Sequence, residues 1–316
     1  MPNWNSVLRE ISVIQQAGAS AHDKVRRKYL KRLYNHTGRN VIAYYSGFLT
    51  KPRIEGIEIN DDDKNGFMLA IHEMKRDGVG LDLILHTPGG DGQATISLVE
   101  YLRDMFGNDI RAIIPQIAMS AGTMISCSCK SIIMGKESSI GPIDPQFGSI
   151  AAANLLEEVK KARDDIITNP NLALFWNPIL SKITPSFIER CEWALKDSNE
   201  FINVTLRKNM FARLTPQAQD AAIEKISKLL ANNEGRAHNT HIQYQECVDA
   251  GLVVERLEDD PILQDLVLTI HHCYMHTLAN TSAFKIVENH MGRAMVRIQQ
   301  MAAMQVPVSL ASGGPA

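Results

Sequence analysis

Two glycine-containing turns follow predicted strands, and their residue types suit acyl transfer. The turn at residues 86–90 reads HTPGG, and its glycine pair can leave amide N–H groups exposed in conformations closed to other residues. The turn at residues 119–124 reads MSAGTM and places Ser120 at the start of a predicted helix, where N–H groups are unpaired. If the turns lie side by side, Ser120 can attack a carbonyl carbon while these N–H groups hold the oxyanion. The candidate oxyanion donors belong to Gly89, Gly90 and Ala121.

The same turns also have a purely structural interpretation. A serine at the start of a helix is usually a cap, and a Pro-Gly-Gly sequence is usually just a turn. Residue types and spacing alone therefore do not decide between catalysis and local structure.

Short apolar strands alternate with helices in the first half of the chain, which predicts an α/β protein with a parallel sheet buried on both faces. A helix after the acidic run 61–63 is predicted to end at Gly78. The predicted strands are residues 40–45, 81–85, 110–114 and 131–134, and the helices between the last three are 93–105 and 120–129. Later predicted helices are 151–168, 185–212, 216–231 and 261–278, with a strand ending at residue 254 and possible strands at 283–288 and 292–300.

These elements predict four regions. Residues 1–37 form an amphipathic helical segment, and residues 38–256 form the domain that holds both turns. Residues 257–305 add a helix and the possible strands, and residues 306–316 form a disordered tail. The basic run at residues 24–28 is interpreted as the solvated face of a helix.

Composition excludes several classes of function and site. A formal charge of −2 provides no field that would attract nucleic acid or an anionic membrane. Five cysteines without framework spacing, and a beginning without a signal-peptide pattern, predict free thiols in a reducing cytoplasm. Residues 110–135 contain charges, glycines and a proline, so no membrane span is expected. His272 and His276 lie four residues apart, but without a third ligand nearby a metal site is not expected.

Four motifs in order resemble the serine dehydrogenase proteinase family, a cytoplasmic relative of signal peptide peptidase A and, more distantly, of the Clp protease. The motifs are HTPGG at 86–90, AMSAGTMIS at 118–126, SSIGPIDPQ at 138–146 and CVDAGLVV at 247–254. The resemblance implies a Clp protease/crotonase-like spiral of ββα units with a helical C-terminal region. It also implies a serine peptidase that needs no metal or organic cofactor, acts on peptide or protein substrates and forms a homo-oligomer. In this family pattern Ser120 is the nucleophile, and Gly89, Gly90 and Ala121 form the oxyanion hole.

The general base is less clear from the resemblance. Where the Clp protease has a histidine, this chain has Asp144, whereas signal peptide peptidase relatives use a lysine some 40–50 residues after the serine. Lys160 and Lys161 lie at this spacing and are the candidate bases. A lysine acts as a base only when neutral, and the charged surroundings of this pair equally fit a solvated helix face. The histidines left as alternatives are His86, His238 and His241.

Two rival functions stay open. An acyl-CoA hydratase or thioesterase on the same fold would use the oxyanion hole without a serine nucleophile. A non-enzymatic assembly or adaptor protein would retain the fold but lack a working base. Covalent labelling of Ser120 by a fluorophosphonate separates the peptidase from both.

Overall fold

A computed structural model describes residues 4–16, 21–75, 78–148, 150–230 and 240–299. The helices of these ranges are α1 (Trp4–Gln16), α2 (Ala21–Thr37), α3 (Asp63–Ile71), α4 (Gly92–Phe106), α5 (Ala121–Cys127), α6 (Ala152–Thr168), α7 (Ala173–Leu180), α8 (Pro185–Lys208), α9 (Pro216–Leu230), α10 (Tyr244–Ala250) and α11 (Pro261–Asn280). The strands are β1 (Asn40–Ser46), β2 (Leu81–His86), β3 (Ile110–Ile114), β4 (Ile117–Ala118), β5 (Ser131–Met134), β6 (Ser139–Ile140), β7 (Gln146–Phe147), β8 (Ile150–Ala151), β9 (Ile242–Gln243), β10 (Val254–Arg256), β11 (Ala283–Asn289) and β12 (Ala294–Ile298).

A seven-stranded sheet in the order β10-β5-β3-β2-β1-β11-β12 forms the centre of the protein. The first five strands of that order are mutually parallel, while β11 runs antiparallel to both β1 and β12. Every residue of β1, β2 and β5 is buried, which explains why these strands read as continuous apolar runs. The predicted α/β class is confirmed, and both possible C-terminal strands are present as β11 and β12.

Helices cover both faces of this sheet. Alternate residues of β2 point to opposite faces, so Leu83 and Leu85 belong to one hydrophobic core while Ile84 belongs to another. The first core includes residues of α3, α4 and α5, and the second includes residues of α2 and α11. The two turns singled out in the sequence lie at the carboxyl ends of the parallel strands.

Two backbone hydrogen bonds join those turns. The Thr87 N–H donates to the Ile117 carbonyl at 3.1 Å, and the Met119 N–H donates to the Thr87 carbonyl at 3.0 Å. The segments that follow β2 and β4 therefore lie side by side, and the HTPGG turn is next to the MSAG turn. The juxtaposition assumed in the sequence argument is present.

Two local expectations are corrected. Helix α3 ends at Ile71 and does not reach Gly78. The basic run in α2 is not wholly solvated, because the Arg26 side chain is fully buried and its Nε donates to Glu288 Oε2 of β11 at 2.8 Å. Pairing with a buried carboxylate offsets the cost of removing this guanidinium from water.

The C-terminal elements join the same sheet as the rest of the chain. Strand β11 lies directly beside β1, and α11 packs against α2. The four regional boundaries stay a prediction, and the predicted tail at 306–316 lies outside the described residues. Across the described ranges, no helix has both the length and the apolar character needed to span a bilayer.

Candidate active site

Ser120 has a strained backbone at the turn between β4 and α5. Its φ is 47° and its ψ is −109°, a conformation that costs a residue other than glycine about 1–3 kcal/mol. Its side chain makes no capping hydrogen bond to the described start of α5, so it does not act as a simple helix cap. Such strain is typical of a sharp turn that presents a nucleophilic hydroxyl.

Gly89 is required by its close approach to Ser120. Its φ is 104°, and a Cβ at this position would lie 2.7 Å from Ser120 Cβ and 2.9 Å from the Met119 carbonyl oxygen. The Gly89 N–H already donates to Thr87 Oγ1 at 3.1 Å. Gly89 therefore provides the space for the serine, and its own N–H is engaged within the turn.

Gly90 is oriented by a backbone segment that the sequence argument did not include. The Ile59 N–H donates to the Gly89 carbonyl at 2.8 Å, and the Asp91 N–H donates to the Ile59 carbonyl at 2.9 Å. The carbonyl of Gly89 and the N–H of Gly90 belong to one peptide unit, and in a trans peptide they point in opposite directions. Anchoring that carbonyl on Ile59 therefore turns the Gly90 N–H away from Ile59.

The N–H of Ala121 is the first of helix α5. Its nitrogen would lie 3.2 Å from a Cβ built on Gly89, so it is close to the glycine turn. Within the described residues, neither this N–H nor that of Gly90 donates to a protein acceptor. One donor from each turn thus lacks a protein acceptor among the described residues.

Ser120 and Gly90 line a cavity of about 590 Å³. Its walls combine apolar side chains with three carboxylates. The apolar residues are Pro88, Ile96, Met124, Ile143, Pro145, Phe147 and Ala194, and the acidic residues are Glu58, Asp91 and Asp197. A peptide backbone with mixed side chains has room to bind here.

The two candidate lysines lie outside this cavity. Lys160 and Lys161 are both exposed on α6, and neither lines the cavity. No described residue that lines it carries an ammonium or imidazole group. Asp144 is buried, and its Oδ2 accepts a hydrogen bond at 3.1 Å from Nε2 of the cavity residue Gln146.

The two candidate histidines within the described residues, His86 and His241, do not line the cavity. His86 is fully buried on the α11 side of the sheet, where its ring lies 5.3 Å from that of His271. Burial lowers the pKa of His86 to about 3, and neither ring nitrogen has a partner among the described residues. His241 is exposed, with Nδ1 2.7 Å from Ser139 Oγ, while His238 lies outside the described residues.

The cysteines and the His272–His276 pair show no reactive arrangement. All five cysteines are free and buried. Burial raises the pKa of Cys127 far above its usual range and that of Cys273 to about 12, so both thiols stay protonated at neutral pH. Among the described residues, no group of three or more His, Cys, Asp or Glu side chains is arranged to hold a metal ion.

Sequence reasoning missed the segment around Ile59. Its contribution to the site is made entirely by backbone N–H and C=O groups, which any residue except proline can supply. No pattern of residue types could have identified it. The one residue type related to this contact is the glycine at position 90, because a Cβ there would lie 2.3 Å from the Ile59 carbonyl oxygen.

A strained serine beside a glycine turn, with one unengaged backbone N–H on each of the two turns among the described residues and an α/β sheet covered by helices, defines the site of a Clp-type serine hydrolase. The comparison with protein families agrees. Residues 9–191, more than half of the chain, match the model of the ClpP-like SDH-type serine proteinases. The chain belongs to this family and is a serine peptidase by class.

Relatives and a solved structure extend the comparison. The uncharacterized protein MJ0137 of Methanocaldococcus jannaschii is 28% identical over 236 residues, which cover 73% of each chain. The uncharacterized protein MJ1495 of the same organism is 32% identical over 137 residues, which cover 42% of this chain and 46% of that one. A solved structure of the membrane-bound stomatin-specific protease 1510-N, a lysine-to-alanine mutant in complex with a substrate peptide, matches at 16% identity with a TM-score of 0.28. That match covers 63% of this chain and 86% of the other.

Proposed function

We propose that this protein hydrolyses peptide bonds with Ser120 as the nucleophile and the N–H groups of Gly90 and Ala121 as the oxyanion hole. The observation that carries the proposal is the strained Ser120 turn, which lines the same cavity as Gly90 and leads directly into the Ala121 N–H at the start of α5. Each such donor contributes on the order of 3 kcal/mol to transition-state stabilisation. Gly89 shapes the turn and admits the serine rather than donating to the oxyanion.

The reaction proceeds in two acyl-transfer steps. Ser120 Oγ attacks the peptide carbonyl carbon as its proton passes to the base, and the carbonyl oxygen becomes an anion held by the two N–H groups. The C–N bond then breaks as the base returns the proton to the leaving amine. A water molecule, activated by the same base, hydrolyses the acyl-enzyme and restores the serine.

We assign the base to Lys160 or Lys161, on the spacing from Ser120 and the start of α6 directly after the cavity-lining hairpin β7–β8. Both ammonium groups are exposed in the described arrangement. A lysine base therefore requires either a shift of α6 toward the cavity or a lysine from a second copy of the chain.

We further propose a homo-oligomer that acts in the cytoplasm. Leu174 and Phe175 on α7 are 84% and 62% exposed, which is apolar surface that a second copy would cover. Five free thiols fit a reducing compartment.

The nucleophile is tested by labelling with a fluorophosphonate probe and by hydrolysis of a fluorogenic peptide library. The wild-type protein should be labelled and should cleave, whereas Ser120→Ala should do neither and should still fold. A matched control is Ser126→Ala, because Ser126 lies within α5 and its hydroxyl bonds only the Gly122 carbonyl, at 2.7 Å, among the described residues. Labelling that persists in Ser120→Ala would show that another residue is the nucleophile, and an unlabelled, inactive wild type would favour the two alternatives that lack a serine nucleophile.

A further inference from the structure

A fully buried lysine lies behind the glycine turn, on a strand outside the family match. Lys285 of β11 is 2% exposed, and its Nζ lies 2.9 Å from both carboxylate oxygens of Asp63. The same Nζ donates to the Glu58 carbonyl at 2.7 Å. Lys285 does not line the cavity among the described residues, so its effect on the site must pass through the groups it binds.

Asp63 connects the lysine to the other end of the same short segment. Its side chain is 1% exposed, and Oδ2 accepts hydrogen bonds from the Asn60 N–H at 3.0 Å and the Tyr44 hydroxyl at 2.9 Å. Residues 58–60, called the clamp segment here, are thus held at the first residue by Lys285 and at the last by Asp63.

The middle residue of the clamp segment, Ile59, holds the glycine turn. Its N–H binds the Gly89 carbonyl and its carbonyl binds the Asp91 N–H, so both flanks of Gly90 are attached to it. A displacement of Ile59 would rotate the peptide unit between Gly89 and Gly90. That unit carries the N–H assigned to the oxyanion hole.

We propose that the buried Lys285–Asp63 pair positions the oxyanion hole through the clamp segment. The inference rests on the proposed function, and it makes Lys285 a positioning residue that does not touch substrate. It also gives a catalytic task to β11, which follows the matched residues 9–191 by more than ninety positions.

The energetics of buried ion pairs favour this interpretation over a purely stabilising role. Removing two charges from water is costly, and an apolar pair of similar volume is often equally stable or more so. A lysine–carboxylate pair, however, provides several hydrogen bonds of defined direction. Here one donor and one acceptor of the pair are directed at backbone groups of the clamp segment.

The test replaces the pair with neutral side chains of similar size, in the double variant Lys285→Met/Asp63→Asn. The matched control is Arg26→Met/Glu288→Gln, a second buried pair whose carboxylate is also on β11 and which makes no hydrogen bond to the clamp segment among the described residues. For the first variant we expect kcat to fall about 10- to 100-fold with KM within about twofold, because a misplaced donor loses transition-state rather than ground-state binding. Affinity for a peptide boronic acid should fall by a similar factor, and the control should retain wild-type values.

Hydrogen exchange followed by mass spectrometry supplies a readout that does not need activity. Exchange at residues 58–60 and 88–91 should become faster in Lys285→Met/Asp63→Asn and stay unchanged in the control. If the double variant does not fold, Asp63→Asn alone replaces it. Exchange should then become faster at the same residues, by a smaller factor.

The outcomes separate the two proposals. A folded clamp variant with wild-type kcat overturns the inference, as does an equal loss of kcat in the control. If the wild-type protein is neither labelled by fluorophosphonate nor active, the proposed peptidase function is overturned. Exchange at residues 88–91 then decides alone whether the pair holds the turn, and unchanged exchange there overturns the inference as well.

Discussion

At the scale of single residues, the two glycines of the HTPGG turn have different tasks. Gly89 allows Ser120 to approach, because any Cβ would overlap the serine. Gly90 allows Ile59 to approach from the other side, and its own N–H has no acceptor among the described residues, as the proposed oxyanion role requires. A single glycine could not satisfy both contacts, which accounts for the pair.

Gly90→Ala should lower kcat by about 10²-fold or more, since the added Cβ would displace the peptide unit that carries the oxyanion donor. Steady-state hydrolysis of a fluorogenic peptide measures the loss, and urea unfolding measures any loss of stability. Gly107→Ala is the matched control, because Gly107 also has a positive φ, 61°, yet its Cβ would meet no atom within 4 Å. The control should lose about 1 kcal/mol of stability and no activity. Equal kcat losses in both variants would contradict the distinct role of Gly90.

At the scale of elements, a strand-turn-helix unit presents the proposed nucleophile, and a separate helix carries the candidate bases. Strand β4 and helix α5 together set the Ser120 conformation, and the first free N–H of α5 lies beside it. Helix α6 buries Leu155 and Ala162 but exposes Lys160 and Lys161. Successive residues on a helix point about 100° apart, so a single movement of α6 can bring only one of these lysines to Ser120.

One of Lys160→Ala and Lys161→Ala should therefore abolish hydrolysis while the other leaves it near the wild-type rate. At the sensitive position Arg should fail as completely as Ala, because a guanidinium does not release its proton in the working pH range. The wild-type rate should rise with pH into the alkaline range, since only a neutral amine accepts the serine proton. The measurement is the hydrolysis rate, across pH, of the wild type and of Lys160→Ala, Lys160→Arg, Lys161→Ala and Lys161→Arg. Normal rates in both alanine variants would exclude a lysine base on α6 and make His238 and His241 the residues to test.

At the scale of the whole molecule, the sheet has one face packed against α3, α4 and α5 and a second face packed against α2 and α11. His86 is adjacent in sequence to the turn that carries the proposed oxyanion donor, but its side chain lies on the second face against Tyr45 and His271. Strands β11 and β12 belong to the seven-stranded sheet, so the C-terminal region is part of the central structure. His86, which is a candidate base in the sequence, is therefore a buried residue whose protonation affects stability.

Acid should destabilise the protein partly through His86. Burial lowers its folded-state pKa to about 3, below the unfolded value near 6.5, so the unfolded chain binds this proton first as the pH falls. The free energy of unfolding should then decrease below pH ~6.5 by up to about 1.4 kcal/mol per pH unit from this group. Urea unfolding between pH 7 and 4 measures the slope, which should become shallower in His86→Leu. An unchanged slope in that variant would show that His86 is not buried as a neutral ring.

The sequence by itself determined the class and the order of the main elements, and it supplied the candidate nucleophile. Strand and helix positions follow from the periodicity of apolar residues, and the Ser120 turn follows from the placement of glycine and serine. Both patterns are local and extend over only a few residues. Only the tertiary structure decided that Gly90 rather than Gly89 has the free N–H, that Arg26 is buried and that His86 faces away from Ser120. It also joined Lys285 to Asp63 across 222 positions. Such contacts depend on how distant elements pack, and those made by backbone groups, as at Ile59, leave no trace in residue type.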